Sequence, residues 1–222
     1  MTIAENITHL HQKLDPQGVK LVAVSKFHPV EKLAEAYAAG QRIFGESRVQ
    51  ELLAKRPLMP DDVQWHFIGH LQTNKVRQLV GNVSLIESID SERLLDAIDA
   101  ESQRKGIVTR ILMQVHVAQE ETKFGFSPEE LLDYFRSRKF ESLKATHICG
   151  LMGMATNTDD NDRIRQDFTT ISRLYHEILN LCPDIRGFDT ISMGMSDDHD
   201  LAIACGSNMV RIGTDIFGNR EY

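Results

Sequence analysis

Short apolar runs alternate with longer amphipathic stretches along the whole chain. The runs lie at 20–25, 42–44, 64–68, 84–87, 110–117, 147–152, 189–192 and 208–212. Each is bounded by Gly, Pro, Asn or Asp, the pattern of buried strands. The stretches between them have helical spacing. Residues 30–39 carry Leu33, Ala36 and Tyr37 and stop at Gly40; residues 92–103 carry Leu94, Leu95 and Ile98 before a lysine-glycine stop. Residues 164–181 make the longest helical pattern, ended by Pro183. Ser127-Pro-Glu-Glu130 joins a cap, a proline at the first helical position and a reciprocal glutamate, which together start a helix. Residues 2–14 predict a polar lead-in helix. Eight strands alternating with helices imply a parallel α/β sheet, and their number fits a single (β/α)8 barrel of TIM type over residues 1–222, with an N-terminal helix. An open doubly wound sheet is the competitor. The first strand is not followed by Gly-x-Gly-x-x-Gly, which weighs against its dinucleotide-binding version. No linker or repeat interrupts the pattern, and only ten residues follow the eighth run, so one domain is expected.

A barrel of this kind collects its functional groups at the C-terminal strand ends, with a phosphate site after strands seven and eight. The last thirty residues match that expectation. Ser192-Met-Gly-Met-Ser196-Asp-Asp and Met209-Val-Arg-Ile-Gly213-Thr214 both run from apolar residues into small or hydroxyl-bearing ones. Small residues let backbone N–H groups approach an anion, and a helix start favours negative charge. Ser196 is read as capping the helix that follows while offering its hydroxyl to a phosphate, with Asp197 and Asp198 complementing the helix dipole. Gly213 and Thr214 complete the cup. Lys26 ends the first apolar strand, where a partly dehydrated amine becomes nucleophilic. A phosphate cup with a strand-end lysine suggests pyridoxal 5'-phosphate, held by its phosphate and by an imine to the amine.

Arg211 interrupts an apolar strand, and a buried arginine needs a partner. Glu46 is the candidate for a plain ion pair. The functional alternative sets the guanidinium against the pyridine nitrogen, which would leave that nitrogen unprotonated and the ring a weak electron sink. Met152, Met154, Met193 and Met195 are candidates to wall the ring, with core packing as the default. His66 and His70 share a strand face but lack a third metal ligand, so hydrogen bonding is the plainer reading. The Asp197-Asp198-His199-Asp200 run makes a poor metal site, because adjacent helix residues point apart. Lys75 and Lys123 are surface lysines where a second aldehyde site can be imagined.

Composition narrows the classes further. Net charge is −7 and the isoelectric point about 5.7, so neither a nucleic acid nor an anionic membrane is the expected partner. A solvated helix face accounts for the basic pair Lys75 and Arg77. No basic stretch with an apolar block opens the chain, and no run approaches the ~20 residues that span a bilayer. Three scattered cysteines fit neither a disulfide framework nor a thiolate zinc site. The chain reads as cytoplasmic, and a monomer is expected.

Val24-Ser-Lys26, Phe44-Gly-Glu46, Trp65-His-Phe-Ile-Gly69, Leu71-Gln-Thr-Asn-Lys75, Gly150-Leu-Met152, Ser192-Met-Gly-Met-Ser-Asp-Asp198 and Val210-Arg-Ile-Gly-Thr214, followed by Ile216-Phe-Gly218, resemble the pyridoxal phosphate homeostasis proteins in order and spacing. That resemblance implies a barrel similar to the N-terminal domain of alanine racemase. It implies an imine on Lys26, a phosphate held by Ser196, Gly213 and Thr214, and Arg211 facing the ring nitrogen. Ser47 stands where the family usually has an asparagine near the cofactor's hydroxyl, and its side chain is shorter. His70 stands where proline is common. The function expected is a carrier that shields the aldehyde and releases the cofactor to apo-enzymes. An amino-acid racemase is the alternative. Racemisation wants two bases on opposite faces of the substrate, and racemases of this fold take the second, a tyrosine, from a further C-terminal domain. Tyr37, Tyr134 and Tyr175 fall in predicted helices, and the chain ends at Tyr222. A phosphosugar enzyme without a cofactor would explain the cup but leave Lys26 and Arg211 without a joint role.

Overall fold

A computed structural model describes residues 1–120 and 124–218. Its strands are β1 (Lys20–Val24), β2 (Ile43–Glu46), β3 (Gln64–Phe67), β4 (Leu85–Ile89), β5 (Thr109–Val115), β6 (Thr146–Gly153), β7 (Thr190–Ser192) and β8 (Met209–Ile212). They close into a barrel in sequence order, every neighbouring pair parallel, with β8 beside β1. The expected barrel is therefore the observed one, and the open sheet is not. Helices α1 (Ile3–Leu14), α2 (Val30–Ala38), α3 (Val49–Lys55), α4 (Val76–Leu79), α5 (Glu92–Lys105), α6 (Pro128–Arg136), α7 (Asn161–Leu181), α8 (His199–Ala204) and α9 (Thr214–Phe217) accompany them.

Helix boundaries follow capping chemistry more closely than apolar spacing. Thr2 and Glu5 form a reciprocal box at the start of α1, and Ser127 and Glu130 form one at α6. α7 begins three residues before its first apolar position, because Asp160 accepts from the N–H groups of Asp162 and Arg163. α5 runs two residues past the expected end and stops at Gly106, whose φ is +66°. No described helix is long and apolar enough to cross a membrane.

Two hydrophobic layers hold the molecule together. Outward-facing strand residues such as Phe44, Phe67 and Ile86 pack under the helices with Leu33, Phe135 and Phe168, all nearly or fully buried. A smaller cluster of Val22, Leu85, Leu112, Cys149, Met152 and Met209 fills the barrel interior, as alternation along parallel strands requires. That cluster fills the interior beneath the C-terminal mouth of the barrel. A register shift between β5 and β6 accommodates Gly150, with φ +148°, where an added Cβ would lie 1.8 Å from the Thr190 carbonyl oxygen.

Candidate functional site

The mouth of the barrel holds a cavity of about 200 Å³, built from the ends of six strands. Lys26 comes from just past β1, Ser47 from past β2, Ile68 from past β3 and Met154 from past β6. Ser196 comes from the loop after β7, Arg211 from β8 itself, and Gly213 and Thr214 from its end. Lys26, Ser47, Ser196, Arg211, Gly213 and Thr214, all singled out in the sequence, therefore face one space. Met193 does not: it is fully buried in the outer core, and its N–H donates to the Met209 carbonyl. Met154 and Met195 line the cavity instead. His28 and Asp197 also line it and were not anticipated. His28 follows Lys26 at the strand-like spacing of two, the one signal that pointed to it.

The loop after β7, expected to hold a phosphate, differs locally from its expected form. Ser196 is not a helix cap; residues 196–198 form a turn, α8 starts at His199, and the capping position is Asp198. Asp198 turns its carboxylate back onto the Met195 N–H at 2.6 Å. Ser196 is thereby left half-buried at the cavity wall. α8 and α9 are too short for a large macrodipole, so an anion placed here would meet hydroxyls and the first N–H groups of α9 beyond Gly213. A Cβ at Gly213 would come within 3.3 Å of the Val24 Cβ and carbonyl oxygen, so a larger residue there would push the loop and β1 slightly apart.

Beneath the cavity lies a buried polar network. Arg211, 4% exposed, donates to the Ser192 Oγ at 2.6 Å and to the Gly153 carbonyl at 2.9 Å. Ser192 in turn donates to Glu87 Oε2 at 2.6 Å, and the Glu87 carboxylate lies 3.8 Å from the guanidinium. His66 completes the set through Nδ1, 2.7 Å from Glu87 Oε1. The anticipated pair of Arg211 with Glu46 does not form. Glu46 faces outward from β2 and binds Lys55 and Ser25, because successive strand residues point to opposite faces. Burial pushes the Glu87 carboxyl up, but His66, Arg211 and Ser192 outweigh it and hold the group below the usual carboxylate range. Burial pulls Arg211 down, opposed by Glu87 and Asp198, and a guanidinium keeps its proton through such a shift. Glu87 was missed in the sequence, although a lone acid inside Leu85-Ile-Glu-Ser-Ile89 is the same anomaly that drew attention to Arg211.

Other candidates resolve into ordinary contacts. His70 pairs with Asp90 at 2.9 Å and stacks on Phe124 with ring centroids 3.7 Å apart. Among the described residues no group of three or more metal-ligating side chains converges. Tyr37 donates to Asp62, Tyr134 is buried in the outer core and Tyr175 donates to the Phe188 carbonyl; none lines the cavity. Lys75 lies in a turn away from it, and Thr122, Lys123 and Tyr222 lie outside the described residues. A second space of about 550 Å³ adjoins the first and shares Met154, Met195 and Asp197 with it.

Known proteins resemble this chain over its length. The family model described as alanine racemase, N-terminal domain, matches residues 1–221. A Pasteurella multocida protein named pyridoxal phosphate homeostasis protein is 36% identical, the match covering 100% of this chain and 99% of that protein. A Schizosaccharomyces pombe protein of the same name is 41% identical over 96% of this chain and 89% of its own. PipY of Synechococcus elongatus, solved with PLP bound, has a TM-score of 0.89 at 35% identity, covering 98% of this chain and 100% of PipY. Alanine racemase from E. faecalis has a TM-score of 0.72 at 19% identity; this chain covers 57% of it, and the likeness is one of fold.

Proposed function

Because the chain belongs to the pyridoxal phosphate homeostasis protein family, built on the alanine racemase N-terminal barrel, we propose that it binds pyridoxal 5'-phosphate at the barrel mouth. The cofactor is carried as an imine on Lys26 and handed on to apo-enzymes. One observation carries this reading: a primary amine, an anion-binding loop pair and a fixed guanidinium line the same cavity. The donor set suits the group. Ser196 and Thr214 supply hydroxyls and the Gly213 turn supplies close backbone, fit for a phosphate. Met154, Met195 and Ile68 supply apolar walls fit for a ring. Ser47, half-buried at the same wall, has a side chain too short to be assigned a cofactor contact.

When bound, the cofactor supplies an aldehyde open to amines and a ring that can accept electrons. Arg211, locked by Ser192, Gly153 and Glu87, faces the ring nitrogen in this reading and keeps its own proton. The electron sink is then weak, which suits holding better than turnover. The racemase alternative draws on the shared fold, and it needs a second base across the substrate from Lys26. No described tyrosine lies at the cavity. We therefore take the protein to be a carrier without strong catalysis.

Purified protein loaded with pyridoxal 5'-phosphate is expected to absorb in the visible range, and Lys26→Ala to abolish that band. Borohydride reduction followed by peptide mass spectrometry is expected to find the adduct on Lys26. An adduct on another lysine, or no visible band in the wild type, refutes the site. Fast, stereochemically clean exchange of an amino acid's α-proton would favour the enzyme instead.

A further inference from the structure

Lys26 lies beyond the last residue of β1, in a loop, yet the residues on either side of it are pinned from outside the barrel. Ser25 is fully buried; its N–H donates to the Gly45 carbonyl, and its hydroxyl donates to Glu46 Oε1 at 2.6 Å. The Ser25 carbonyl accepts from the Lys55 ammonium at 2.8 Å. On the other side, the Phe27 N–H donates to Glu51 Oε1 at 2.6 Å. Lys55 also donates to Glu46 at 2.7 Å and to Glu51 at 2.6 Å, so one buried ammonium ties both anchors together. Glu51 and Lys55 are one helical turn apart on α3, the spacing that sets their side chains side by side.

The backbone between these anchors is strained. Phe27 has φ +68°, a left-handed conformation disfavoured roughly tenfold for a residue that carries a Cβ. Its ring is 39% exposed, with the Arg48 guanidinium 4.7 Å above it, so core packing does not hold the residue there. Strain of this kind persists only where the surroundings over-determine it. The bonds that do so are a turn bond from the His28 N–H to the Ser25 carbonyl at 3.1 Å and the Glu51 and Lys55 bonds, which end on the peptides flanking Lys26.

We propose that Glu51 and Lys55 are positioning residues for Lys26, holding the 25–27 backbone in its strained form so that the amine is presented to the barrel mouth. This inference rests on the reading of Lys26 as the cofactor's attachment point. The long, flexible lysine side chain then begins from a fixed backbone, and its amine searches less space before it reaches the aldehyde.

The test uses full-length protein with pyridoxal 5'-phosphate as the probe. Four variants are compared with the wild type: Glu51→Ala, Glu51→Gln, Lys55→Met and Glu51→Ala combined with Phe27→Gly. Three readouts are taken: the rate of borohydride-trappable adduct formation on Lys26, the pH at which half the visible band is lost, and the acetylation rate of Lys26 in the cofactor-free protein relative to its other lysines. Glu51→Ala is expected to slow adduct formation about tenfold, the size of the released strain, and to shift both the pH midpoint and the acetylation ratio. Lys55→Met should act in the same direction. Glu51→Gln keeps an acceptor for the Phe27 N–H and should recover most of the rate. Glycine takes positive φ without penalty, so Phe27→Gly should restore the Glu51→Ala variant. Glu51→Ala with wild-type rate, pH midpoint and acetylation ratio would overturn the inference, as would slowing that neither Glu51→Gln nor Phe27→Gly relieves. A wild-type protein that forms no adduct on Lys26 sinks the cofactor reading first and this inference with it; variants that match an active wild type sink this inference alone.

Discussion

Replacing Glu87 with glutamine is the sharpest test of the barrel's interior, because it removes one charge and almost no volume. The carboxylate is completely buried and lies 3.8 Å from the guanidinium of Arg211, itself 4% exposed. At an effective dielectric of 20, unit charges at that separation attract by about 4 kcal/mol. Losing one member of a buried pair costs about 3–5 kcal/mol, since the other charge stays behind uncompensated. Glutamine can still accept from His66 through its oxygen and bond Ser192 through its amide, so the lower end, about 3 kcal/mol, is expected. For a chain of this length that corresponds to a melting-point drop of roughly 6–12 °C. Urea unfolding of cofactor-free protein at pH 7 measures it directly. The pH dependence has a definite sign. The folded-state carboxyl titrates below its ordinary value, so over that window the unfolded chain binds more protons and stability rises with pH. The Glu87 contribution is complete above the unfolded value of about 4.3 and is lost as pH falls through the lower folded value. The gap between wild type and Glu87→Gln should accordingly narrow below about pH 4.3. A difference under about 1 kcal/mol at pH 7, within the range of an exposed ion pair, or a gap that does not change with pH, would show that the network is not the electrostatic unit its geometry describes.

Three further outcomes are expected. Ser196→Ala combined with Thr214→Val should weaken pyridoxal 5'-phosphate binding by roughly 10–100-fold through lost charge-assisted hydrogen bonds, yet leave the affinity for pyridoxal, which lacks the phosphate, nearly unchanged in a fluorescence titration; equal losses for both would remove these residues from the phosphate cup. Gly150→Ala should prevent recovery of folded protein, because its Cβ would lie 1.8 Å from the Thr190 carbonyl oxygen, and circular dichroism matching the wild type would contradict the close approach of β6 and β7. Ser127→Ala should cost about 1 kcal/mol of stability by opening the α6 capping box, a drop visible in the urea midpoint without any effect on the visible band of the loaded protein.

The parts of the fold that were legible in the sequence are those governed by period and punctuation. Each strand of the barrel buries an outer face, and the short apolar runs that result, separated by capped helices, are visible without coordinates. Ser127-Pro-Glu-Glu130 announced α6 because both halves of its capping box are local. Asp160 was passed over because the apolar spacing of α7 begins later than its hydrogen bonds. Arg211 was conspicuous as a charge inside an apolar run, but its partner could not be read from its own surroundings. Choosing Glu87 over Glu46 depends on which strand residues point inward, and a shift of one position reverses that. Met193 failed for the same reason: Ser192 points into the barrel, so the next side chain turns out to the core. Ser196 failed as a cap because three polar residues in succession offer alternative starts, and the turn at 196–198 moved the first helical residue to His199.

The division between inner and outer face also separates two jobs within the molecule. Inside, the Glu87, Ser192, His66 and Arg211 network fixes one guanidinium at the floor of the mouth. Outside, Glu46, Glu51 and Lys55 fix the peptide from which Lys26 projects. The two networks share no side chain, and each comes from different strands and helices. A catalyst that shuttles protons across a bound substrate needs at least one of its polar groups free to change protonation during the cycle. Here the members of each network are bonded to one another, and the interior pair holds its charges against burial. In the proposed reading, such an arrangement favours a bound ground state over a transition state. It suits the proposed carrier, whose release step would then lie in the loops at the rim, at Ser196 and Thr214, apart from both networks.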